Sequence, residues 1–226
     1  MDEAPPSTAP VPGWTPPPRP PREAMAGRLC RIVPLDAAAH AAPLHAALHA
    51  REGWDYLPYG PFGDADAHRA HLAATFGDDP LAHVIEAGGE VRGIATYLRI
   101  NPLAGSIEVG HIHLGPALQR TPAATEAMHL MMARAFDLGY RRYEWKCDAA
   151  NAASRRAALR LGFTYEGTHR QATIVKGRNR DTAWFSILDR EWPRVRDAQA
   201  AWLDPANFDA EGRQRTALSA GLTTPR

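Results

Sequence analysis

The sequence predicts an α/β (α+β) domain built on a mixed, mostly antiparallel sheet with helices on both faces. Three observations carry this. Short runs on either side of Gly88-Gly89 have the pattern of two strands joined by a tight turn. In the second half of the chain, strand patterns alternate with helix patterns, and such a succession needs parallel pairing. With 226 residues, 45% of them hydrophobic and 23% charged, the chain can bury one sizeable core.

Residues 1–25 stand apart. They hold nine prolines, among them Pro16-Pro17-Pro18-Arg19-Pro20-Pro21. Such a segment favours polyproline II and has too little apolar surface for a core. A disordered arm is expected, with two qualifications: it has the composition of a docking peptide, and Trp14 can pin part of it to the domain. The folded domain is expected over residues 27–192. Leu29 to Val33 alternates as a strand. Asp36 can cap a helix containing Leu44 and Leu48, and Pro43 implies a late start or a kink. A loop with Trp54, Tyr56, Leu57, Tyr59 and Phe62 precedes a second helix from about Asp66 to Phe76.

The hairpin follows, His83 to Glu86 and Val91 to Ile100, then a turn at residues 101–105 and a strand from Ser106 to Leu114. Gly115-Pro116 ends that strand. A helix runs from about Ala123 to Leu138, with Met128, Met131, Met132 and Ala135 at the spacing of one buried face. Gly139 suits its C-terminal stop. Tyr143 to Cys147 is a further strand. Asn151 and Ser154 open a short helix ending at Leu161-Gly162, and Phe163 and Tyr165 start another strand. A last hairpin turns near Gly177 and Asn179 and returns through Ala183 to Leu188. Residues 193–226 read as an extension, helical near Arg194 to Trp202.

A formal net charge of +1 gives no bulk reason to expect nucleic acid or an anionic membrane as partner. No apolar run reaches the length of a membrane span, and the N-terminus lacks a signal-peptide pattern. A cytoplasmic location follows by default. The two cysteines, Cys30 and Cys147, make no disulfide framework; Cys147 reads as a core residue. His45 and His49 are four apart, but no further ligand type clusters with them and His40, so a solvated helix face is expected rather than a metal site. A hydrolase reading fails because there is no nucleophile elbow.

Three motifs resemble the Gcn5-related N-acetyltransferase (GNAT) superfamily, most closely its RimJ/RimL-like branch of ribosomal-protein N-terminal acetyltransferases. They are the strand Ile107-Glu108-Val109-Gly110-His111, the segment Gln119-Arg120-Thr121-Pro122-Ala123-Ala124-Thr125-Glu126-Ala127, and Asn151-x-x-Ser154 followed by Leu161-Gly162-Phe163. Arg180-Asp181 and Glu191-Trp192 also resemble the branch's final hairpin. The resemblance covers residues 28–192. It implies the GNAT fold with a splayed parallel strand pair, acetyl-CoA as the acyl donor, and an amine acceptor, either a protein N-terminus or a small molecule. A homodimer is compatible with it. Two positions depart from the pattern. Pro122 replaces the first glycine of the pyrophosphate loop, although Pro is acceptable in a first helical turn. Ala158 replaces a tyrosine that protonates the leaving thiolate in many members.

The residues themselves fit parts of this chemistry. A helix N-terminus offers unpaired N–H groups to an anion, with Thr121, Ala123 and Ala124 small enough for close approach and Gln119, Arg120 and Thr125 as donors. By resemblance, backbone groups of Ile112, His113 and Leu114 would pair with pantetheine, and Asn151 with the same arm. Asn151 and Ser154 are equally good helix caps. Glu108 is the first candidate base and His111 the second; strand alternation puts them on opposite faces unless a bulge intervenes. Ser154 is the candidate acid. Trp54, Tyr56 and Tyr59 can wall the amine site or simply pack. A non-catalytic acyl-CoA-binding sensor or scaffold is the competing function, and Ala158 is what favours it.

Overall fold

The computed structural model describes residue 8 and residues 10–222. An eight-stranded sheet forms its centre. The strands are β1 (Met25–Ala26), β2 (Arg31–Pro34), β3 (Leu81–Ala87), β4 (Glu90–Asn101), β5 (Ser106–Leu114), β6 (Arg142–Asp148), β7 (Thr164–Val175) and β8 (Arg178–Leu188). Their spatial order is β1-β2-β3-β4-β5-β6-β8-β7. Every neighbouring pair is antiparallel except β5 and β6, which run parallel. That crossover is made by helix α3 (Pro122–Asp137), as parallel pairing requires.

The two faces have separate cores. On one lie α1 (Ala37–Ala47) and α2 (Ala65–Thr75), whose Ala41, Leu44 and Leu72 pack with Val33, Val84, Ile94 and Trp54. Asp36 caps α1 by accepting from the Ala38 and Ala39 amides, so the helix starts at Ala37 and carries Pro43 inside it. On the other face lie α3, α4 (Ala152–Arg160) and α5 (Trp192–Leu203), with the short α6 (Leu218–Leu222) closing behind them. The methionine stripe of α3 is fully buried there, as its spacing predicts: Met131, Met132 and Ala135 are at 0% exposure.

Residues 14–25 and 192–203 belong to this domain more than the composition suggests. Pro17, Pro20 and Met25 are buried. Arg22 pairs with Asp78 at 3.1 Å, and Arg134 of α3 donates to the Glu23 and Ala24 carbonyls. Trp14 lies beside Gly105. The expected disordered arm is therefore laid along the domain over residues 14–25; residues 1–7 fall outside the described residues. At the other end Val195, Gln199 and Trp202 join the core, with Gln199 donating to the Leu161 carbonyl at 2.8 Å.

Glu126 ties the arm's end to α3. Its carboxylate accepts the Arg28, Leu29 and Cys30 amides at 3.0, 2.6 and 2.9 Å. The charge of Glu126, after burial, helps push the Cys30 thiol up to about 12, so that cysteine is inert. Removing the carboxylate orphans three N–H groups at once. Glu126→Ala is expected to lower unfolding free energy by about 3 kcal/mol, read as a shifted denaturation midpoint with an unchanged slope.

Candidate functional site

The site forms where β5 and β6 part. Their register runs Ser106 with Arg142 through Val109 with Trp145 and stops there. Beyond it β5 pairs only with β4 and β6 only with β8. The facing backbone edges of Gly110–His113 and Lys146–Cys147 are thus left without a strand partner, and an open strand edge is a row of unused donors and acceptors.

A bulge in β5 lies inside this opening. The β4–β5 register shifts between Ile94–His113 and Thr96–Gly110, and His111 has φ 47°. This conformation is costly for a residue with a side chain. The shift overturns the alternation expected from the sequence. Ile107, Val109, Ile112 and Leu114 pack toward α3, while Glu108, His111 and His113 share the opposite face. Glu108 and His111, apart in a regular strand, are brought together by the bulge that the sequence left open.

Glu108 is buried, and its Oε2 lies 2.9 Å from Lys146 Nζ and 3.5 Å from Arg99 Nε. Lys146 also reaches Glu144 at 2.7 Å and sits 3.6 Å above the Trp184 ring. Burial raises the Glu108 carboxyl above the ordinary range, and Lys146 opposes that rise. Gly110 keeps one approach to it clear: a Cβ there would stand 3.4 Å from Glu108 Oε1.

His111 is held by Tyr59, whose hydroxyl lies 3.0 Å from its Nδ1 and whose ring stacks on it. Burial, aided by the positive surroundings of His71, Arg180 and Arg99, pushes His111 down to about 4, so the imidazole is neutral at pH 7. His113 and His68 are pushed to about 4 for the same first reason. Burial also raises the Tyr59 phenol, which stays protonated.

The three aromatic candidates separate. Trp54 is a core residue: it is 4% exposed, donates to the Leu48 carbonyl, and meets His113 edge-on at 4.3 Å. Tyr59 borders the bulge. Tyr56 is exposed, and its hydroxyl reaches the Ala150 carbonyl at 3.3 Å, linking its loop to the segment after β6.

At the start of α3, Thr121 is the N-cap, accepting from the Ala124 amide, and Pro122 occupies the first turn. Proline therefore fits this helix start without a glycine. A groove of about 320 Å³ is lined by Thr121, Pro122 and Ala123 together with Arg92. Two expected donors are otherwise engaged. The Thr125 hydroxyl is buried and accepts from Arg160 at 3.0 Å, and the Gln119 side chain donates to the Leu114 carbonyl at 2.8 Å. Arg120 is exposed, with φ 60°.

Asn151 caps α4, its Oδ1 accepting from the Ser154 amide at 3.0 Å. The Ser154 hydroxyl accepts from Trp145 Nε1 at 2.9 Å. Ala158, one turn further on, is fully buried in the core on the α3 face. Cys147 is buried and free, and burial raises its thiol.

Sequence reasoning missed Arg99, Lys146, Arg180 and Trp184. Lys146, Arg180 and Trp184 follow from strand alternation once the register is known, since the Lys146–Trp184 and Glu144–Ser186 pairs share the Glu108 face; Arg99 does not, because Leu98 stands opposite Glu108 and Arg99 reaches it through a second register shift, with φ 49°.

A family model described as an acetyltransferase (GNAT) domain matches residues 30–164. The chain belongs to the GNAT family, whose members are acyl-CoA-dependent N-acyltransferases. It is similar to the crystal structure of a GCN5-related N-acetyltransferase from Brucella melitensis, at 45% identity over 94% of this chain and 99% of that one, with a TM-score of 0.91. A GNAT-family protein from Chromobacterium violaceum is 44% identical over 85% of this chain and 100% of that one, with a TM-score of 0.80. RimL, a ribosomal L7/L12 alpha-N-protein acetyltransferase, shares the fold at 20% identity over 72% of this chain and 91% of that one, with a TM-score of 0.62. Among curated proteins no sequence matches. No helix among the described residues is long and apolar enough to cross a membrane.

Proposed function

We propose that the chain transfers an acetyl group directly from acetyl-CoA to a primary amine, with Glu108 accepting the amine proton. The observation that carries this is the bulge at His111, which sets a buried carboxylate and a neutral imidazole on one face beside the open strand edges. Acetyl-CoA supplies the activated thioester. The strand edge of Ile112, His113 and Leu114 suits the amides of its arm, and the start of α3, with Thr121, Ala123 and Ala124, suits its phosphates. A β5 amide aimed at the carbonyl would stabilise negative charge developing there.

Glu108 has the better claim to be the base. Its pKa is displaced upward, toward the range that general-base catalysis favours, whereas His111 is displaced away from it. His111, steadied by Tyr59, would hydrogen-bond the amine and fix its approach. Because it is neutral, it does not repel an incoming ammonium group. Ser154 lies on the α4 side, where a hydroxyl can give a proton to the thiolate; Ala158 cannot.

Asn151 separates cofactor binding from capping. Asp caps a helix as well as Asn does but has no amide donor. Asn151→Asp is expected to keep the wild-type melting temperature while weakening acetyl-CoA binding about tenfold, a loss near that of one hydrogen bond. Calorimetry with acetyl-CoA, alongside thermal melts, reads both. No binding of acetyl-CoA to the wild-type chain at about 1 mM removes the proposed donor site altogether.

A further inference from the structure

The face that holds Glu108 carries a series of cations, and those beside Glu108 have partners. Lys146 has Glu108 and Glu144. Arg142 has Glu144 and Glu166. Arg99 has Glu108. Lys176, at the tip of the β7–β8 arm, donates to the Trp54 carbonyl at 2.8 Å.

Arg180 has none. It is half-buried, its Nε is shut off from solvent, and that N–H has no acceptor. Among the described residues no carboxylate lies within ion-pair range of its guanidinium. The neighbouring Asp181 is committed elsewhere, accepting from the Gln171 amide and from Asn179. Desolvating a guanidinium without an acceptor is costly, so such a group is normally matched.

Its position says what would match it. Arg180 alternates with Thr182 and Trp184, and so lies on the Lys146 face of β8. Trp184 Nε1, on that same face, is a second buried N–H without an acceptor. The arm that carries Arg180 leans toward the Trp54 loop through Lys176. The charge of Arg180 is felt both at His111 on β5 and at Cys147 on β6, the two strands that part at the site. The free guanidinium thus overlooks the opening from the side of Glu108 and His111.

We infer that the acceptor is an amine that also bears a carboxylate, and that Arg180 is the residue that binds this carboxylate. A guanidinium presents paired donors in the plane a carboxylate needs. A free α-amino acid brings amine and carboxylate together, whereas a peptide N-terminus would need an acidic side chain close behind its amine. The inference rests on the acetyltransferase reading of the site.

The test is steady-state thiol release by the full chain with acetyl-CoA. Three acceptor sets are compared: free α-amino acids, their α-carboxamides, and short peptides with an acidic or a neutral second residue. At least one carboxylate-bearing amine is expected to exceed its neutral counterpart about tenfold or more in kcat/KM, and which set wins identifies the source of the carboxylate. Arg180→Gln should remove that preference, chiefly through KM, with acetyl-CoA affinity unchanged; Arg180→Lys should restore part of it. A preference that persists in Arg180→Gln, or no preference among amines that do turn over, overturns this inference alone. Weakened acetyl-CoA binding in Arg180→Gln also overturns it, since the guanidinium would then serve the donor's phosphates. An absence of both acetyl-CoA binding and turnover overturns the acetyltransferase reading with it.

Discussion

Glu108→Gln is expected to lower kcat by about 10²–10³-fold with any competent amine, while acetyl-CoA affinity changes by less than about twofold. The substitution is close to isosteric and keeps the buried packing. Lys146 is not stranded by it, because Glu144 remains 2.7 Å away. The lost rate would therefore report lost proton acceptance rather than lost structure. The pH profile gives a second readout. A base works when deprotonated, so kcat/KM should fall as pH drops through the carboxyl's folded pKa. Burial raises that pKa, so the fall should come at a higher pH than for an exposed carboxylate. This limb should be missing in Glu108→Gln. An unchanged kcat in the folded variant would pass the role to His111 or to water.

Legibility followed locality. The α3 stripe, the Gly88-Gly89 hairpin and the strand–helix succession of the second half are written in neighbouring residues, and the fold has all three. The caps Asp36, Thr121 and Asn151 are equally local. The bulge is not. His111 takes a positive φ because the β4 register, the Tyr59 ring and the pull of two cores impose it, and no neighbouring residue announces that. The sequence could therefore name a bulge only as the condition under which Glu108 and His111 share a face, and the structure has that bulge.

The ends of the domain were legible only in part, for a related reason. Proline-rich composition says that the arm has no core of its own, but not that Pro17 and Pro20 will be buried on another element. At the C-terminus a signal was present: Trp192, Val195, Gln199 and Trp202 follow the three–four spacing of a buried helix face. Thr125 shows the limit of motif transfer. It stands where the loop motif suggests a donor, yet the next turn of α3 points it at Arg160.

The histidines that burial keeps uncharged should also make the fold sensitive to acid. Burial is the first cause that holds His68, His83, His111 and His113 at about 4, against an ordinary value of 6.5. None readily takes a proton while folded, and each takes one on unfolding once the pH is below 6.5. The unfolded state then binds more protons, so stability rises with pH across this window and falls as pH is lowered. Their contribution is complete above about 6.5 and is progressively lost down to about 4. Each site costs about 2 kcal/mol between pH 7.5 and pH 5, and four together rival the whole stability of a typical domain. Urea denaturation at pH 7.5, 6 and 5 should show a steep fall with an uptake approaching four protons. A flat profile would mean that these imidazoles are charged in the folded state, and a charged His111 would repel the very amine it is placed to receive. Three of the four, His68, His111 and His113, surround Trp54 and Tyr59. A neutral acceptor wall and an acid-labile fold thus have one physical cause, the burial of imidazoles beneath the loop that borders the site.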